Sequence, residues 1–307
     1  MNWFVRRVIC GLGFVVAFTA PVMAAPSTQP TLPAHVTRVD NVRYGEAPGT
    51  ANLLDLYLPD HFDHSLPLVV WIHGGGWSAG DKAGCPGVPL VAHGFVVASL
   101  NYRLSGEVPY PAQIQDCKGA IRFLRAHADQ YHIEANKIGV WGASAGGHLV
   151  ALLGTSAGST ELEGTVGRNL DQSSRVQAVC DWFGPTDMTK FADQAQAAGI
   201  INTTPGPTLI MKLFGGSLQE KKDLVQIANP IYFIGKKPSS EIPPFLIMHG
   251  DKDKLVPVAQ SQMLCDALTT AGVPADLRIL PGAGHGIGFN TPAVANTVLA
   301  FFESKLK

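Results

Sequence analysis

A serine lies between two glycines, directly after an apolar run and before a helical segment. Residues 142–146 read Gly-Ala-Ser-Ala-Gly and follow the apolar residues 138–141. A serine on a tight turn between a buried strand and a helix presents its hydroxyl at the edge of a sheet, where it can attack a carbonyl carbon. A helix that begins at Ala145 would direct free amide groups at the resulting oxyanion. The pattern predicts Ser144 as a catalytic nucleophile.

Three consecutive glycines follow another apolar run, at 68–72. Residues 73–77 read His-Gly-Gly-Gly-Trp, and glycine permits backbone turns that direct amide groups into a cavity. We expect the amides of Gly75 and Gly76, with that of Ala145, to form an oxyanion hole. His73 is interpreted as a structural residue that braces this loop. The alternative is an ordinary glycine-rich loop.

A serine nucleophile requires a base, and the base requires an orienting carboxylate. Of ten histidines, His285 lies in a glycine-rich loop between a strand-like run at 276–280 and the last helix. This loop can reach the active edge of a sheet, so we predict His285 as the base. His148 and His249 are the competing histidines, and both are interpreted as structural.

Two aspartates follow the apolar run at 245–248. Asp253 precedes an apolar pair and a helix opened by Pro257, which suits a loop that turns back over the sheet edge. Asp251 is interpreted as holding the turn. With Asp253 as the acid, the chain order is Ser144, Asp253, His285, which is the order of the α/β-hydrolase fold.

Strand-like and helix-like runs alternate along the chain, which predicts an α/β fold with a mostly parallel sheet and helices on both faces. The first two strands, at 36–44 and 52–58, are expected to be antiparallel, and the alternation in the second indicates one covered face. The remaining strands are buried apolar runs: 68–72, 95–100, 138–141, 176–182 and 245–248.

Helical periodicity begins at Pro111 and recurs at 145–153, 258–270 and 292–306. Residues 184–240 are irregular and broken by prolines and glycines, which suggests a minimal cap over the sheet. We predict a single α/β-hydrolase domain at 36–307.

The N-terminus has the pattern of a secretory signal peptide. Arg6 and Arg7 precede an apolar run at 8–20 that is too short to cross a bilayer, and small residues follow. We expect a signal peptide at 1–24, cleaved after Ala24 or Ala25, and a flexible leader at 25–35. The mature protein would then be secreted or periplasmic.

Four cysteines follow the signal peptide. Cys180 and Cys265 lie in patterns of a buried strand and a helix, where free thiols are common. Cys85 lies in a Gly/Pro-rich loop and Cys117 early in a helix. Four cysteines allow three pairings. We expect a Cys85–Cys117 bridge and two buried thiols.

The net charge is −1, so no basic field would attract nucleic acid or anionic lipid. We expect a small-molecule or oligosaccharide ester as substrate, no nucleic acid and no membrane in the mature form. The predicted chemistry needs no cofactor, and the cysteine spacings match no zinc pattern. The sequence leaves the oligomeric state open. Trp77, Trp182 and Phe183 are candidate substrate-binding residues, and ordinary packing is the alternative for each.

Further stretches extend these motifs along the chain: HGGGWSAGDK (73–82), NYRLS (101–105), YPAQ (110–113), DCK (116–118), DWFGPTD (181–187) and HGDKD (249–253). From about residue 36 to the end, the chain resembles the α/β-hydrolase superfamily. Within it, the chain is similar to the bacterial feruloyl/acetyl-xylan esterase-type group, often labelled BD-FAE, near the hormone-sensitive-lipase-like esterases. The resemblance implies hydrolysis of acetyl, feruloyl or other short acyl esters, commonly on plant polysaccharide fragments.

Other functions fit the same fold. A general promiscuous carboxylesterase or a long-chain lipase is one, although a lipase would want a larger apolar lid than 184–240 supplies. A peptidase or amidase usually adds a further domain that grips the peptide. A non-catalytic binding module usually loses the serine or the histidine, and both are present here.

Overall fold

One sheet of eight strands organises the part of the chain that the computed structural model describes, residues 32–200 and 206–307. The strands are β1 (Val36–Arg43), β2 (Leu53–Pro59), β3 (Leu66–Ile72), β4 (Val96–Leu100), β5 (Ile133–Ala143), β6 (Ala178–Trp182), β7 (Phe245–Gly250) and β8 (Ala275–Leu280). Their order is β1-β2-β4-β3-β5-β6-β7-β8. β2 is antiparallel to both of its neighbours, and the other pairs are parallel. The predicted fold class is confirmed.

Helices cover both faces of the sheet. They are α1 (Ala112–Ala126), α2 (Ala145–Thr155), α3 (Thr160–Glu163), α4 (Phe191–Ala197), α5 (Gly206–Phe214), α6 (Lys222–Ile227), α7 (Val258–Thr270) and α8 (Pro292–Leu306). Short 3-10 turns span Val88–His93, Pro230–Phe233 and Ser239–Glu241. α1, α2 and α7 pack on one face with apolar residues such as Ile121, Leu149 and Leu264, and α8 packs on the other with Phe302.

The segment 184–240 consists of short helices, as its interrupted pattern predicts. α4, α5, α6 and a 3-10 turn lie in it, and α2 contacts that turn. α1 begins at Ala112, so Pro111 is its N-cap residue and not, as predicted, the first residue of the helix.

The expectation that β2 has one covered face is wrong. Leu54 and Leu56 are buried on one side of the sheet, and Tyr57 is buried on the other. The polar residue Asp55 is buried too, because the Lys82 ammonium lies 2.8 Å from its carboxylate. The alternation of polar and apolar residues therefore reflects an ion pair under a loop, not a face open to water.

The expected Cys85–Cys117 disulfide is also wrong. Both thiols are free, as are those of Cys180 and Cys265. Cys117 belongs to the apolar layer with α1, whereas Cys85 packs against the layer on the opposite face of the sheet. A bridge would have to pass through the sheet. The expectation of two buried thiols at Cys180 and Cys265 is confirmed.

The predicted signal peptide at 1–24 lies outside the described residues, as does the leader up to residue 31. Within 32–200 and 206–307, no helix has the length and apolar character that a membrane span requires.

Candidate active site

Ser144 occupies the turn between β5 and α2. Its φ is 56° and its ψ is −119°, a conformation that non-glycine residues rarely adopt and that surrounding structure must hold. The Ser144 amide donates to the Trp182 carbonyl at 2.8 Å, and the Ser144 carbonyl accepts from the His148 amide at 3.0 Å. Both bonds fix the backbone of the turn, so the hydroxyl has a defined position at the carboxyl end of β5.

The two glycines of the turn allow this close packing. A Cβ on Gly142 would collide with the Gly146 carbonyl oxygen, and a Cβ on Gly146 would collide with the Ile72 carbonyl oxygen at the end of β3. Alanine at either position would push α2 away from the sheet. The Gly-x-Ser-x-Gly spacing is therefore a steric requirement of the turn.

The structure brings Ser144, His285 and Asp253 together in one hydrogen-bonded line. His285 Nε2 lies 3.0 Å from Ser144 Oγ, and His285 Nδ1 lies 2.8 Å from Asp253 Oδ2. Because a carboxylate can only accept, Nδ1 carries the proton and Nε2 is left to accept from the serine hydroxyl. This arrangement can activate a serine for attack.

The Asp253 carboxylate is held in its ionised form. Burial of its side chain disfavours the charge, but hydrogen bonds from His249 and His285 and from the Leu255 amide outweigh it, so the pKa of Asp253 lies well below its usual value. The Leu255 and Val256 amides donate to Oδ1 at 2.7 and 2.9 Å. Asp251 instead accepts from the Gly282 amide at 2.7 Å and holds the turn, as predicted.

The glycine loop after β3 lies beside the serine. Gly75 and Gly76 have φ values of 105° and 59°, and no described residue accepts a hydrogen bond from their amides or from that of Ala145. The Gly75 carbonyl accepts from the Ser78 and Ala79 amides at 3.2 and 3.1 Å, which closes the loop into a turn. Three amides near the serine are thus available to a substrate oxygen.

His73 braces this loop. Its Nδ1 lies 2.7 Å from the Gly74 carbonyl oxygen, and its ring stacks on Tyr102 with 4.4 Å between centroids. The Tyr102 hydroxyl donates to the His73 carbonyl at 3.1 Å. Burial lowers the pKa of His73. The ring is a fixed support and lies outside the serine–histidine–aspartate line.

The two competing histidines differ from each other. His148 Nδ1 accepts from the Trp77 indole at 3.2 Å and its Nε2 lies 2.7 Å from the Ala228 carbonyl oxygen, so it links α2 to the cap; burial lowers its pKa to about 4. His249 Nε2 lies 3.4 Å from Asp253 Oδ2. The sequence interpretation missed this contact. The only sign of it in the sequence is that His249 and Asp253 are four residues apart.

The three candidate substrate-binding residues are all buried, and they lie in different places. The Phe183 ring is 4.6 Å from the His285 ring. Trp182 packs edge-on against Trp141 at 4.7 Å inside the core. Trp77 packs in the core on the other face. The structure therefore places Phe183 against the histidine and Trp77 and Trp182 in the packing around the site.

Two apolar residues at the site had no signal in the sequence. A Cβ placed on Gly76 would lie 2.5 Å from Leu209 Cδ1, so this α5 side chain lies directly over the glycine. Ile287, two residues after His285, is 76% exposed. Leu209 belongs to the segment 184–240, which the sequence predicts as a cap, but no sequence pattern predicts which of its side chains lies over Gly76. Within the described part of the chain, no group of His, Cys, Asp and Glu side chains is arranged to hold a metal ion.

Comparison with known proteins finds an esterase family model and proteins named as esterases. The family model named BD-FAE matches residues 54–268. The chain is 29% identical over 272 residues to the esterase LipC of Mycobacterium tuberculosis, covering 85% of this chain and 64% of LipC. Other curated relatives are covered over 50% to 58% of their length, so the chain spans between half and two thirds of these proteins.

Two solved structures are similar over most of their length. A truncated carbohydrate esterase from gut microbiota has a TM-score of 0.77 and 35% identity, covering 87% of this chain and 95% of that one. An acetyl ester-xyloside bifunctional hydrolase from Caldicellulosiruptor lactoaceticus has a TM-score of 0.67 and 28% identity, covering 82% and 87%.

Proposed function

Since this chain belongs to the BD-FAE family of α/β-hydrolases, we propose that it is a serine carboxylesterase with Ser144 as nucleophile, His285 as base and Asp253 as orienting acid. The observation that carries this proposal is the hydrogen-bonded line from Asp253 Oδ2 through His285 to Ser144 Oγ, at 2.8 and 3.0 Å. It ends beside three amides that donate to no described residue. The reaction these groups support is acyl transfer.

The proposed mechanism has two steps. His285 Nε2 takes the hydroxyl proton as Ser144 Oγ attacks the ester carbonyl, and the oxyanion receives hydrogen bonds from the Gly75, Gly76 and Ala145 amides. The imidazolium then gives its proton to the leaving alcohol. Water attacks the acyl-enzyme by the same path, which releases the acid and restores the serine.

Asp253 supports both steps by its charge. The carboxylate stays ionised because hydrogen bonds outweigh the cost of burial, and it lies on the Nδ1 side of the base. It therefore fixes the tautomer that leaves Nε2 free to accept, and it stabilises the imidazolium that forms. No step needs a metal ion or a cofactor.

We propose short acyl or feruloyl esters, carried on plant polysaccharide fragments, as substrates. Two kinds of observation support this class. The similar solved structures are named for carbohydrate ester or acetyl ester-xyloside chemistry. In this chain Leu209 lies over Gly76 and restricts the space beside the proposed oxyanion hole, which favours the short acyl esters of this class over the larger feruloyl esters. We further propose that the protein acts in the periplasm or outside the cell, where such fragments occur.

The first test compares the purified protein with its Ser144→Ala variant on nitrophenyl acetate, butyrate and decanoate. We expect turnover of the short esters by the wild type and none above background by the variant. A matched control is Ser156→Ala, which removes a buried hydroxyl at the far end of α2. If both the wild type and Ser144→Ala are inert, the scaffold serves binding and the mechanism is wrong.

A second test decides the substrate class. Acetate and ferulate release would be measured from acetylated and feruloylated xylan fragments, beside a peptide amide and a long-chain triglyceride. Release from the xylan fragments supports the proposal. Turnover confined to simple nitrophenyl esters would indicate a general carboxylesterase. Hydrolysis of the amide or the triglyceride would replace the proposal by a peptidase or a lipase.

A further inference from the structure

A fully buried histidine lies behind the proposed catalytic acid. His249 is the fifth residue of β7, and its ring has 0% exposure. Nδ1 lies 2.7 Å from Ser261 Oγ on α7. Nε2 lies 3.0 Å from the Val256 carbonyl oxygen and 3.4 Å from Asp253 Oδ2. Both ring nitrogens therefore have partners, and one partner is the carboxylate that holds His285.

The chemistry of these partners assigns the proton in the neutral ring. A backbone carbonyl and a carboxylate can only accept, so Nε2 must carry the hydrogen. Nδ1 then accepts from the Ser261 hydroxyl, which is itself buried. The two acceptors at Nε2 thus fix the tautomer of His249, and the Ser261 hydroxyl donates to Nδ1 and holds the orientation of the ring.

The bond to Val256 closes a small loop around the acid. Val256 donates its amide to Asp253 Oδ1 at 2.9 Å and accepts from His249 through its carbonyl oxygen. His249 therefore holds the Val256 backbone, which positions Asp253 Oδ1. Its ring also lies next to Asp253 Oδ2. Because Oδ2 is the oxygen that His285 contacts, a shift of this loop would turn the carboxylate and misalign the base.

Other groups around the ring complete the environment. Asp181 on β6 interacts electrostatically with His249, and the Phe183 ring lies edge-on at 6.4 Å. Phe183 in turn contacts the His285 ring. His249 is therefore enclosed by the residues that line the acid and the base, with no path to a substrate.

We propose that His249, locked by Ser261, is a positioning residue for the Asp253–His285 pair. The proposal rests on the ester hydrolysis proposed above. It extends the hydrogen-bonded line from Ser144, His285 and Asp253 to a fourth and a fifth side chain on β7 and α7. The expected consequence is on the orientation of the base, and so on kcat with little effect on KM.

The test uses two substitutions at His249. His249→Phe keeps an aromatic ring and removes both polar contacts, and we expect kcat on nitrophenyl acetate to fall about ten- to hundredfold with KM unchanged. His249→Gln keeps an N–H donor and an oxygen acceptor, and we expect it to recover most of the loss. Ser261→Ala should give an intermediate fall, because the ring keeps its contacts at Nε2 but loses the hydrogen bond that holds Nδ1.

A second readout needs no substrate. The downfield proton resonance of His285 Nδ1–H reports the bond to Asp253, and it is identified by its loss in His285→Ala. We expect this resonance to move upfield in His249→Phe and Ser261→Ala and to stay near its wild-type position in His249→Gln. Thermal melts are recorded for all variants. Ser156→Ala is the control, since it removes a buried helix hydroxyl far from the site and should leave kcat and the resonance unchanged.

Wild-type kcat and an unmoved resonance in folded His249→Phe would overturn the proposal. If His249→Phe does not fold, Ser261→Ala decides: an unchanged kcat and an unmoved resonance overturn the proposal. Absence of ester turnover by the wild type would refute the proposed function instead. In that case the resonance still tests whether His249 and Ser261 position the pair.

Discussion

Replacing Asp181 by asparagine should stabilise the protein at neutral pH and have little effect in acid. Asp181 lies near the carboxyl end of β6, with 0% exposure. Its Oδ1 accepts from the Gly184 amide at 2.9 Å, and its Oδ2 has no hydrogen-bond partner among the described residues. The carboxyl group is therefore buried with half of its hydrogen-bonding capacity unused, which disfavours its charged form.

The sign of the effect follows from the pKa of the group. Burial raises the pKa of Asp181 from 3.8 to about 6, whereas the unfolded chain keeps the ordinary value. Below pH 3.8 the group is protonated in both states and costs nothing. As the pH rises from 4 to 6 the unfolded state loses its proton first, so folding becomes less favourable, and above pH 6 the cost is constant. Two pKa units correspond to ~3 kcal/mol.

Asp181→Asn removes this titration and keeps the acceptor for the Gly184 amide. The new amide group replaces Oδ2 and costs the same at every pH, so the pH dependence isolates the charge. We expect the gain in unfolding free energy over wild type to be about 2 kcal/mol larger at pH 7.5 than at pH 4.

Urea denaturation of both proteins at the two pH values measures this difference. Asp63→Asn is the control, because Asp63 is exposed and its substitution should change stability equally little at both pH values. A gain that is the same at pH 4 and pH 7.5, or a loss that appears only at pH 7.5, would refute the reasoning. Either result would mean that a partner in the fold compensates the charge of Asp181.

Two more predictions follow from contacts around the glycine loop. Leu209→Ala should raise the butyrate-to-acetate ratio of kcat/KM for nitrophenyl esters about tenfold, because it opens space over Gly76. An unchanged ratio would mean that the acyl group binds elsewhere. Lys82→Met should lower the free energy of unfolding by about 3–5 kcal/mol, because it leaves the buried Asp55 carboxylate unpaired. Urea denaturation measures this, and Asp55→Asn in the same chain should restore part of the loss; a loss under about 1 kcal/mol would show a solvated carboxylate.

The sequence predicts Ser144, Asp253 and His285, which the structure brings into one hydrogen-bonded line, because their signals are local. Ser144 and Gly75 each lie in a short motif directly after an apolar run, and parallel strands end at one edge of the sheet. The choice of Asp253 over Asp251 also rests on local spacing. These inferences needed no knowledge of which side chains meet across the fold.

The features that the sequence did not predict depend on contacts between segments that are distant along the chain. Cys85 and Cys117 are 32 residues apart along the chain, yet the sheet separates them. The buried face of β2 depends on Lys82, which arrives from the loop after β3. In the same way His249 is predicted as structural from its strand, and its role behind Asp253 depends on Ser261 of the next helix.

The precision of the site is explained by the hydrogen-bond ladder, which continues beyond the ends of the strands. The first amide of each loop donates to a carbonyl of the adjacent strand: Ser144 to Trp182 at 2.8 Å, Phe183 to Met248 at 2.8 Å and Asp251 to Leu280 at 3.2 Å. The loops after β5, β6 and β7 are therefore set relative to one another by backbone bonds that do not depend on side-chain identity. The loop after β8, which carries His285, is tied to the loop after β7 by the Lys252 amide, which donates to the Ala283 carbonyl at 2.8 Å. Side chains such as His249 then have only to set the orientation of the Asp253 carboxylate.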